Sequence, residues 1–373
     1  MKIVFVGGGT AGHFYPLIAV AEKIKNIAIE AKLVEPDIYY FGEKNYNPSM
    51  LTEHNIKYRS VMSGKNRMYF SFKNILDFFK IFFGIIIAFF KLLWVYPDVI
   101  FSKGGYDSLP TCIAAFILRI PIVMHDSDAI PGRVSLFVSR FANRIALSYP
   151  SAIDYFSEKA KNIIAVTGQP ILEKYTPEKN FIKDFLDKNL KERRNILIAG
   201  GSSGSVKIND AVLEILPELC SKYNVIHQTG QDNIDDIKVR SSVILENYNK
   251  NAYAPYASLD FSKVYSQIDL VISRAGSSMF EFAAWQIPSI IIPISPEVSR
   301  DQTKNAEETE KAEFIKVIAE SNLSPHILLN EINSILENKI LYSQMSLNAK
   351  KYANLDASKL IAKEIVNIIA SHR

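Results

Sequence analysis

Five short stretches of this sequence set glycines or acids beside residues able to move a proton or hold an anion. Gly7, Gly9 and Gly12 satisfy G-x-G-x-x-G and are followed by His13. Glycines let a backbone approach a diphosphate, and a helix opening behind them supplies N–H donors. An imidazole at that helix entry is biased toward its neutral form, which can take a proton from a sugar hydroxyl. Phe101-Ser102-Lys103-Gly104-Gly105-Tyr106-Asp107-Ser108 is a second glycine turn, again after an apolar run. His125-Asp126-Ser127-Asp128 contains a D-x-D, a pattern whose hard oxygens can hold a divalent cation. Two glycine-rich halves offer a metal-free way to neutralise a leaving diphosphate, so no metal is assigned there. Gly200-Gly201-Ser202-Ser203-Gly204 opens the second half of the chain. Arg274-Ala275-Gly276-Ser277-Ser278-Met279-Phe280-Glu281 has two readings. One is a capping box, with Ser278 as N-cap and Glu281 three residues on. The other is a nucleotide site, in which N–H groups at the helix start hold a phosphate and Glu281 accepts the ribose hydroxyls.

These residues need rigid elements beneath them. Apolar runs at residues 3–6, 38–41, 99–102, 122–125 and 145–147 read as strands, and so do 196–199, 225–228, 270–273 and 290–293. Helical spacing covers residues 14–27 and 347–369. Short strands alternating with longer helical stretches predict an α/β chain with parallel sheets covered by helices. Two strands run into glycine-rich turns, so we expect two Rossmann-like halves. The first is residues 1–163 and the second 164–346, with the join between 163 and 191, where Pro170, Pro177 and a charged stretch break the periodicity. The last helix, about 347–373, is expected to pack back on the first half. A nicotinamide-binding fold would carry an acid at the end of the second strand. Glu35 and Asp37 precede that strand and Glu43 lies beyond it, so this reading is set aside.

Residues 75–95 are the other outlier. The uncharged run from Ile81 to Phe90 is too short to span a bilayer, which takes about 20 apolar residues. Yet Phe79, Phe82, Phe83, Ile86, Phe90 and Trp94 leave no polar face, and Lys65, Arg67, Lys73, Lys80 and Lys91 surround them. That composition suits an interfacial patch on an anionic membrane, or a fully buried helix.

The chain has 373 residues, 48% hydrophobic and 22% charged, enough for two cores. A net charge of +4 is modest. It argues against a nucleic-acid-coating protein and suits anionic ligands or an acidic membrane face. Cys112 and Cys220 lie far apart and predict no disulfide framework. The apolar run at residues 3–6 is too short for a signal peptide, so a cytoplasmic protein is expected.

Taken in order, the motifs resemble glycosyltransferase family 28, a GT-B family that includes the enzymes glycosylating undecaprenyl-linked muramyl peptides. The resemblance covers nearly the whole chain. It rests on Gly8-Gly9-Thr10-Ala11-Gly12-His13 with Pro16, Lys103-Gly104-Gly105-Tyr106, and His125-Asp126-Ser127-Asp128-Ala129-Ile130-Pro131-Gly132. It continues through Thr167-Gly168-Gln169-Pro170, residues 200–204, His227-Gln228-Thr229-Gly230, Ser273-Arg274-Ala275-Gly276, Glu281 and Gln302-Thr303-Lys304-Asn305-Ala306. It implies two Rossmann-like domains with a cleft between them. The implied reaction passes N-acetylglucosamine from UDP-N-acetylglucosamine to a polyprenyl-diphosphate-linked muramyl peptide, with no cofactor, at the cytoplasmic membrane face.

The resemblance makes His13 the first base candidate and Asp126 the second. It assigns Thr10, Ala11, Gly12, Asp128, Ser202, Leu259, Arg274, Ser277, Ser278, Glu281 and Gln302 to the donor, and Gly9, Gly104, Gly105 and Tyr106 to the acceptor. The sequence departs from the family pattern in places. Asp128 stands for an expected Asn, Asp126 for Glu and Leu172 for Arg, and the stretch from Arg274 to Glu281 is one residue short. Two other readings stay open: a related transferase with another donor or lipid acceptor, and a lipid-diphosphate-binding homologue without turnover.

Overall fold

The computed structural model describes the chain except residues 65–71, 173–192, 202–203, 262–263, 295–301 and 372–373, and the side chains of 72–76. Lys65, Arg67, Ser202 and the Lys73 side chain, all singled out above, lie outside the described residues. The chain divides into two compact units, Met1–Glu173 with Asn354–Arg373, and Lys174–Ala353.

The first unit is built on β1 (Lys2–Val6), β2 (Asp37–Gly42), β3 (Ile56–Ser60), β4 (Val99–Ser102), β5 (Ile122–Asp126), β6 (Arg144–Leu147) and β7 (Ile164–Val166). They pair in the order β3-β2-β1-β4-β5-β6-β7, all parallel. The second unit uses β8 (Asn195–Ala199), β9 (Asn224–Gln228), β10 (Tyr253–Tyr256), β11 (Leu270–Ser273), β12 (Ser289–Ile291) and β13 (Ile315–Val317). Their order is β10-β9-β8-β11-β12-β13, again parallel. Central strands such as Ile3-Val4-Phe5-Val6 are buried on both faces, as helices on both sides require. In each sheet the order reverses once, between β1 and β4 and between β8 and β11. Open α/β sheets gather ligands at the carboxyl ends of strands beside such a switch.

The first unit holds Ile164–Val166 as its edge strand, so it extends past the expected end at 163. The expected helix over 347–369 is two helices, Lys339–Tyr352 and Ala357–Ser371. Asn354 breaks them: its side-chain oxygen accepts the Asp356 N–H at 3.1 Å and its amide donates to the Thr167 carbonyl at 2.8 Å. Ile361, Ala362, Ile365, Ile368 and Ile369 of the last helix then complete the core of the first unit.

The aromatic helix is Phe72–Val95. Residues Asp77–Val95 are long and apolar enough to cross a membrane, but most of that length is exposed. The buried positions are small or at one edge: Asp77, Gly84, Ala88, Leu92 and Val95. Phe82 is 52% exposed, Phe90 64% and Trp94 70%, with Phe79, Phe83 and Ile86 also outside. The fully buried reading is therefore wrong. Glycine decides which face is buried. A Cβ at Gly84 would lie 2.1 Å from the Met62 carbonyl oxygen, and one at Gly64 would lie 2.3 Å from the Asp77 carbonyl oxygen. The segment before the helix thus runs in backbone contact with it.

Replacing Gly84 by Ala should gain roughly 1 kcal/mol of helix propensity and lose about 1–3 kcal/mol to the clash with backbone. A net fall in stability is expected in urea unfolding, and a stabilised variant would show that the close approach is not maintained.

Candidate functional site

In the first unit the glycine turns after β1 and β4 meet backbone to backbone. Gly7 has φ +99°, and a Cβ there would lie 2.3 Å from the Gly104 carbonyl oxygen. Lys103 N–H donates to the Val6 carbonyl at 3.0 Å. A Cβ at Gly9 would lie 2.5 Å from Oδ2 of the buried Asp107, whose Oδ1 accepts the Ser63 hydroxyl at 2.7 Å. The helix Ala11–Glu30 starts earlier than the spacing predicts, with Thr10 as its extended N-cap. Thr10 carbonyl accepts the His13 and Phe14 N–H groups at 3.1 and 2.9 Å, so His13 lies in the first turn rather than ahead of the helix. The Thr10 hydroxyl does not cap; it lies 3.1 Å from His13 Nδ1. When Nδ1–H donates to that oxygen, Nε2 carries the lone pair. Gly105, at φ +75°, lies beside the ring: a Cβ there would stand 3.6 Å from His13 Cε1, in ordinary contact.

β5 delivers two residues of different character. His125 is fully buried and its Nε2–H donates to the Gly168 carbonyl at 3.0 Å, with no partner for Nδ1 among the described residues. Burial, helped by the nearby Lys103 charge, holds it well below the usual histidine range, so it is neutral. Asp126 gives both oxygens to its own loop. Oδ1 accepts the Asp128 N–H at 3.0 Å and Oδ2 the Gly132 N–H at 3.2 Å. The first acid of the D-x-D therefore closes a turn. Asp128 is half-buried beside it.

In the second unit Gly201 and Gly204 take φ +93° and +78°, and a Cβ at Gly204 would lie 1.9 Å from the Thr229 carbonyl oxygen. Ser205 caps the helix Val206–Glu214. Arg274, after β11 and expected at the donor, is bonded to the scaffold. It donates to Ser205 Oγ at 2.6 Å, to the Ile292 carbonyl at 3.1 Å and to the buried Glu320 carboxylate. Gln228 was not singled out as a candidate. Its amide donates to the Gly201 carbonyl at 3.1 Å and its oxygen accepts the Leu259 N–H at 2.9 Å, joining the glycine turn to Leu259. A polar residue closing an apolar strand was the available signal.

The capping box does not form. The helix Ser278–Ala284 is capped by Ser277, without a side-chain hydrogen bond. Glu281 Oε2 instead accepts the hydroxyl of the buried Tyr265 at 3.0 Å. Burial pushes the Glu281 carboxyl up to about 7; the Tyr265 hydroxyl opposes that shift and Asp260 adds to it. Around a Cβ at Gly276 nothing lies within 4 Å, so neither packing nor backbone strain calls for glycine there. Gln302 stands ahead of the helix Thr303–Glu310, its side-chain oxygen buried without a partner among the described residues. Asn305 donates to the Ala275 carbonyl at 3.2 Å and ties that helix to the turn after β11. Among the described residues no group of three His, Cys, Asp or Glu could hold a metal.

Residues 3–147 match the glycosyltransferase family 28 N-terminal domain and residues 195–364 its C-terminal domain. The chain is 37% identical over 373 residues to a Clostridium perfringens protein named UDP-N-acetylglucosamine–N-acetylmuramyl-(pentapeptide) pyrophosphoryl-undecaprenol N-acetylglucosamine transferase, covering 99% of this chain and 96% of that one. A Bacillus cereus protein of the same name, numbered 2, is 34% identical over 375 residues, covering 98% and 99%. Among solved structures, Acinetobacter baumannii MurG superposes with TM-score 0.68 at 23% identity, covering 98% of this chain and 99% of that one. The UDP-GlcNAc 2-epimerase of Neisseria meningitidis bound to UDP-GlcNAc does so with TM-score 0.70 at 14%, covering 98% and 100%. Both likenesses are likenesses of fold, two parallel-sheet Rossmann-like domains.

Asp126→Asn replaces an accepting oxygen by an amide that faces a backbone N–H. It should cost about 1–3 kcal/mol in denaturant unfolding; a wild-type midpoint would mean that the turn does not depend on this carboxylate.

Proposed function

The chain belongs to glycosyltransferase family 28, and from that premise we propose how its two units share one reaction. The protein is an N-acetylglucosaminyltransferase. It moves N-acetylglucosamine from UDP-N-acetylglucosamine to the N-acetylmuramyl-pentapeptide carried on undecaprenyl diphosphate, the step that completes the lipid-linked disaccharide precursor of peptidoglycan. The observation that carries this reading is 37% identity held across both units.

The second unit takes the donor. Glu281 accepts the ribose hydroxyls, Leu259 lies near the base and Gln302 reaches the transferred sugar. The cap residue Ser277 and the first-turn Ser278 lie against the diphosphate, in the space that Gly276 leaves open, and Ser202 is assigned to the donor phosphate. Arg274 and Gln228 hold these turns in place. The first unit takes the acceptor, whose diphosphate lies along Gly9, Gly104, Gly105 and Tyr106, while Thr10, Ala11, Gly12 and Asp128 approach the donor sugar. The acceptor C4 hydroxyl attacks the anomeric carbon, the new C–O bond forms on the face opposite the departing UDP, and His13 Nε2 takes the proton. His13 is taken as the base ahead of Asp126, whose two oxygens also hold the turn through the Asp128 and Gly132 N–H groups. Backbone N–H groups at the glycine turns take up the charge of the leaving UDP, so this mechanism calls for no metal or other cofactor.

The acceptor is held in a membrane by its lipid. We assign the exposed side of Phe72–Val95 to peripheral contact with an anionic bilayer. Phe79, Phe82, Phe83, Ile86, Phe90 and Trp94 would enter the headgroup boundary, with Lys80 beside them.

The activity is tested by UDP release from UDP-N-acetylglucosamine, with and without a soluble lipid-linked muramyl-peptide analogue and with EDTA in parallel. Acceptor-dependent release that survives EDTA is expected; acceptor-independent or EDTA-abolished release would overturn the mechanism. His13→Ala should cut turnover by about 10²–10⁴-fold with donor affinity near normal, and undiminished turnover would remove His13 from the chemistry. The double variant Phe82→Glu, Phe83→Glu should stay folded, since both rings are exposed, and lose sedimentation with anionic liposomes. Retained binding would place the membrane contact elsewhere.

A further inference from the structure

We infer that Tyr265 is a positioning residue for the ribose site: its hydroxyl fixes one oxygen of Glu281 and holds the carboxylate in place as a hydrogen-bond acceptor. The inference rests on the reading above, in which Glu281 accepts the ribose hydroxyls. Tyr265 opens the short turn Tyr265–Gln267 before β11, and Glu281 lies in the helix after it. The strand between them fixes the distance, and the hydroxyl donates to Oε2 at 3.0 Å. The ring is 1% exposed, with ring centres of Phe261, Phe282 and Trp285 at 5.9, 6.0 and 5.2 Å, so the donor has little freedom to turn away.

This carboxyl sits in an unfavourable place for a charge. Burial raises it and the neighbouring Asp260 raises it further; among the described residues the Tyr265 hydroxyl favours the anion. A ribose offers two hydroxyl donors and needs acceptors, and a protonated acid is a weaker one. Each carboxylate oxygen can accept two hydrogen bonds, so Oε2 can hold Tyr265 and one ribose hydroxyl while Oε1 takes the other. Donor affinity should therefore follow the ionised fraction of Glu281, and Tyr265 should set where that fraction changes. A tyrosine that only fills space would not move a titration.

The test is calorimetric titration of the full chain with UDP-N-acetylglucosamine, from about pH 5.5 to about pH 8.5, a window in which the sugar diphosphate itself does not titrate. The wild-type affinity should fall on the acid side of about pH 7. Tyr265→Phe, which keeps the ring, should move that fall upward by about one pH unit. Binding would then be about five- to tenfold weaker near neutrality and within about twofold of wild type at the alkaline end. Tyr265→Phe added to Glu281→Gln should change nothing further. Equal weakening at every pH would reduce Tyr265 to packing and overturn the inference, as would an unshifted profile. Wild-type binding by Glu281→Gln at all pH values is a different failure: it would remove Glu281 from the ribose and leave the Tyr265 pairing without a function.

Discussion

A methyl group at Gly7 would stand 2.3 Å from the Gly104 carbonyl oxygen, and that one exclusion arranges most of the first unit. β1 and β4 are neighbours at the point where the strand order reverses, so their following turns leave the sheet side by side. With glycine at Gly7 the turns can touch through their backbones, and Thr10 then begins a helix whose first turn carries His13 over Gly105. The second unit obeys the same constraint at Gly204, where a Cβ would meet the Thr229 carbonyl oxygen at 1.9 Å. Here the contact lies between the turns after β8 and β9, and the Gln228 side chain adds a bridge to Leu259. In both units these turns meet main chain to main chain, so their shape varies little with side-chain motion.

That arrangement explains which parts of the fold were legible in the sequence. Strands buried on both faces read as continuous apolar runs, and Val99–Ser102 and Leu270–Ser273 were placed to the residue. The strands that went unread are β3, β7, β10 and β13, the two edges of each sheet. An edge strand needs neither an unbroken apolar run nor a full set of backbone donors. β3 reads Ile-Lys-Tyr-Arg-Ser, β10 contains Pro255, and Val166 of β7 is exposed. Pro255 is tolerated because an outermost strand can leave one side of its ladder unpaired. Missing β7 is also why the first unit was drawn too short.

The candidate site divides the same way. Glycine turns and their flanking His13 and Glu281 are local patterns, so spacing alone exposed them. The residues that hold them act across the sequence. Tyr265 meets Glu281 over an intervening strand, Gln228 bridges two loops, and Glu320 reaches Arg274 from a distant turn. Asp126 and Arg274 carry a second use that spacing does not show. Charged side chains beside a glycine turn suggest ligand contact, and here both Asp126 oxygens also accept loop N–H groups while the Arg274 guanidinium also donates to the Ile292 carbonyl and Ser205 Oγ. That structural use is set by loop geometry that residue type does not encode.

The aromatic helix inverts ordinary packing, and composition could not decide its face for that reason. A helix on a soluble core turns its largest side chains inward. Here the inward positions include Gly84, where the Met62 carbonyl leaves no room for a side chain, and Ala88, and Phe78, Phe79, Phe82, Phe83 and Phe90 go outside. Burying one such ring is worth about 1.5–3 kcal/mol, so leaving several in water forgoes on the order of 10 kcal/mol. An apolar boundary would recover it. The helix is also linked to the Gly9 turn by a short chain of contacts: Asp77 touches Gly64, the adjacent Ser63 bonds to Asp107, and Asp107 lies against Gly9. Under the membrane reading proposed above, a ring pressed into lipid near Asp77 is three contacts from the backbone that would hold the lipid's diphosphate. Anchoring and acceptor binding would then be served by one continuous piece of structure, which the clash at Gly84 keeps in register.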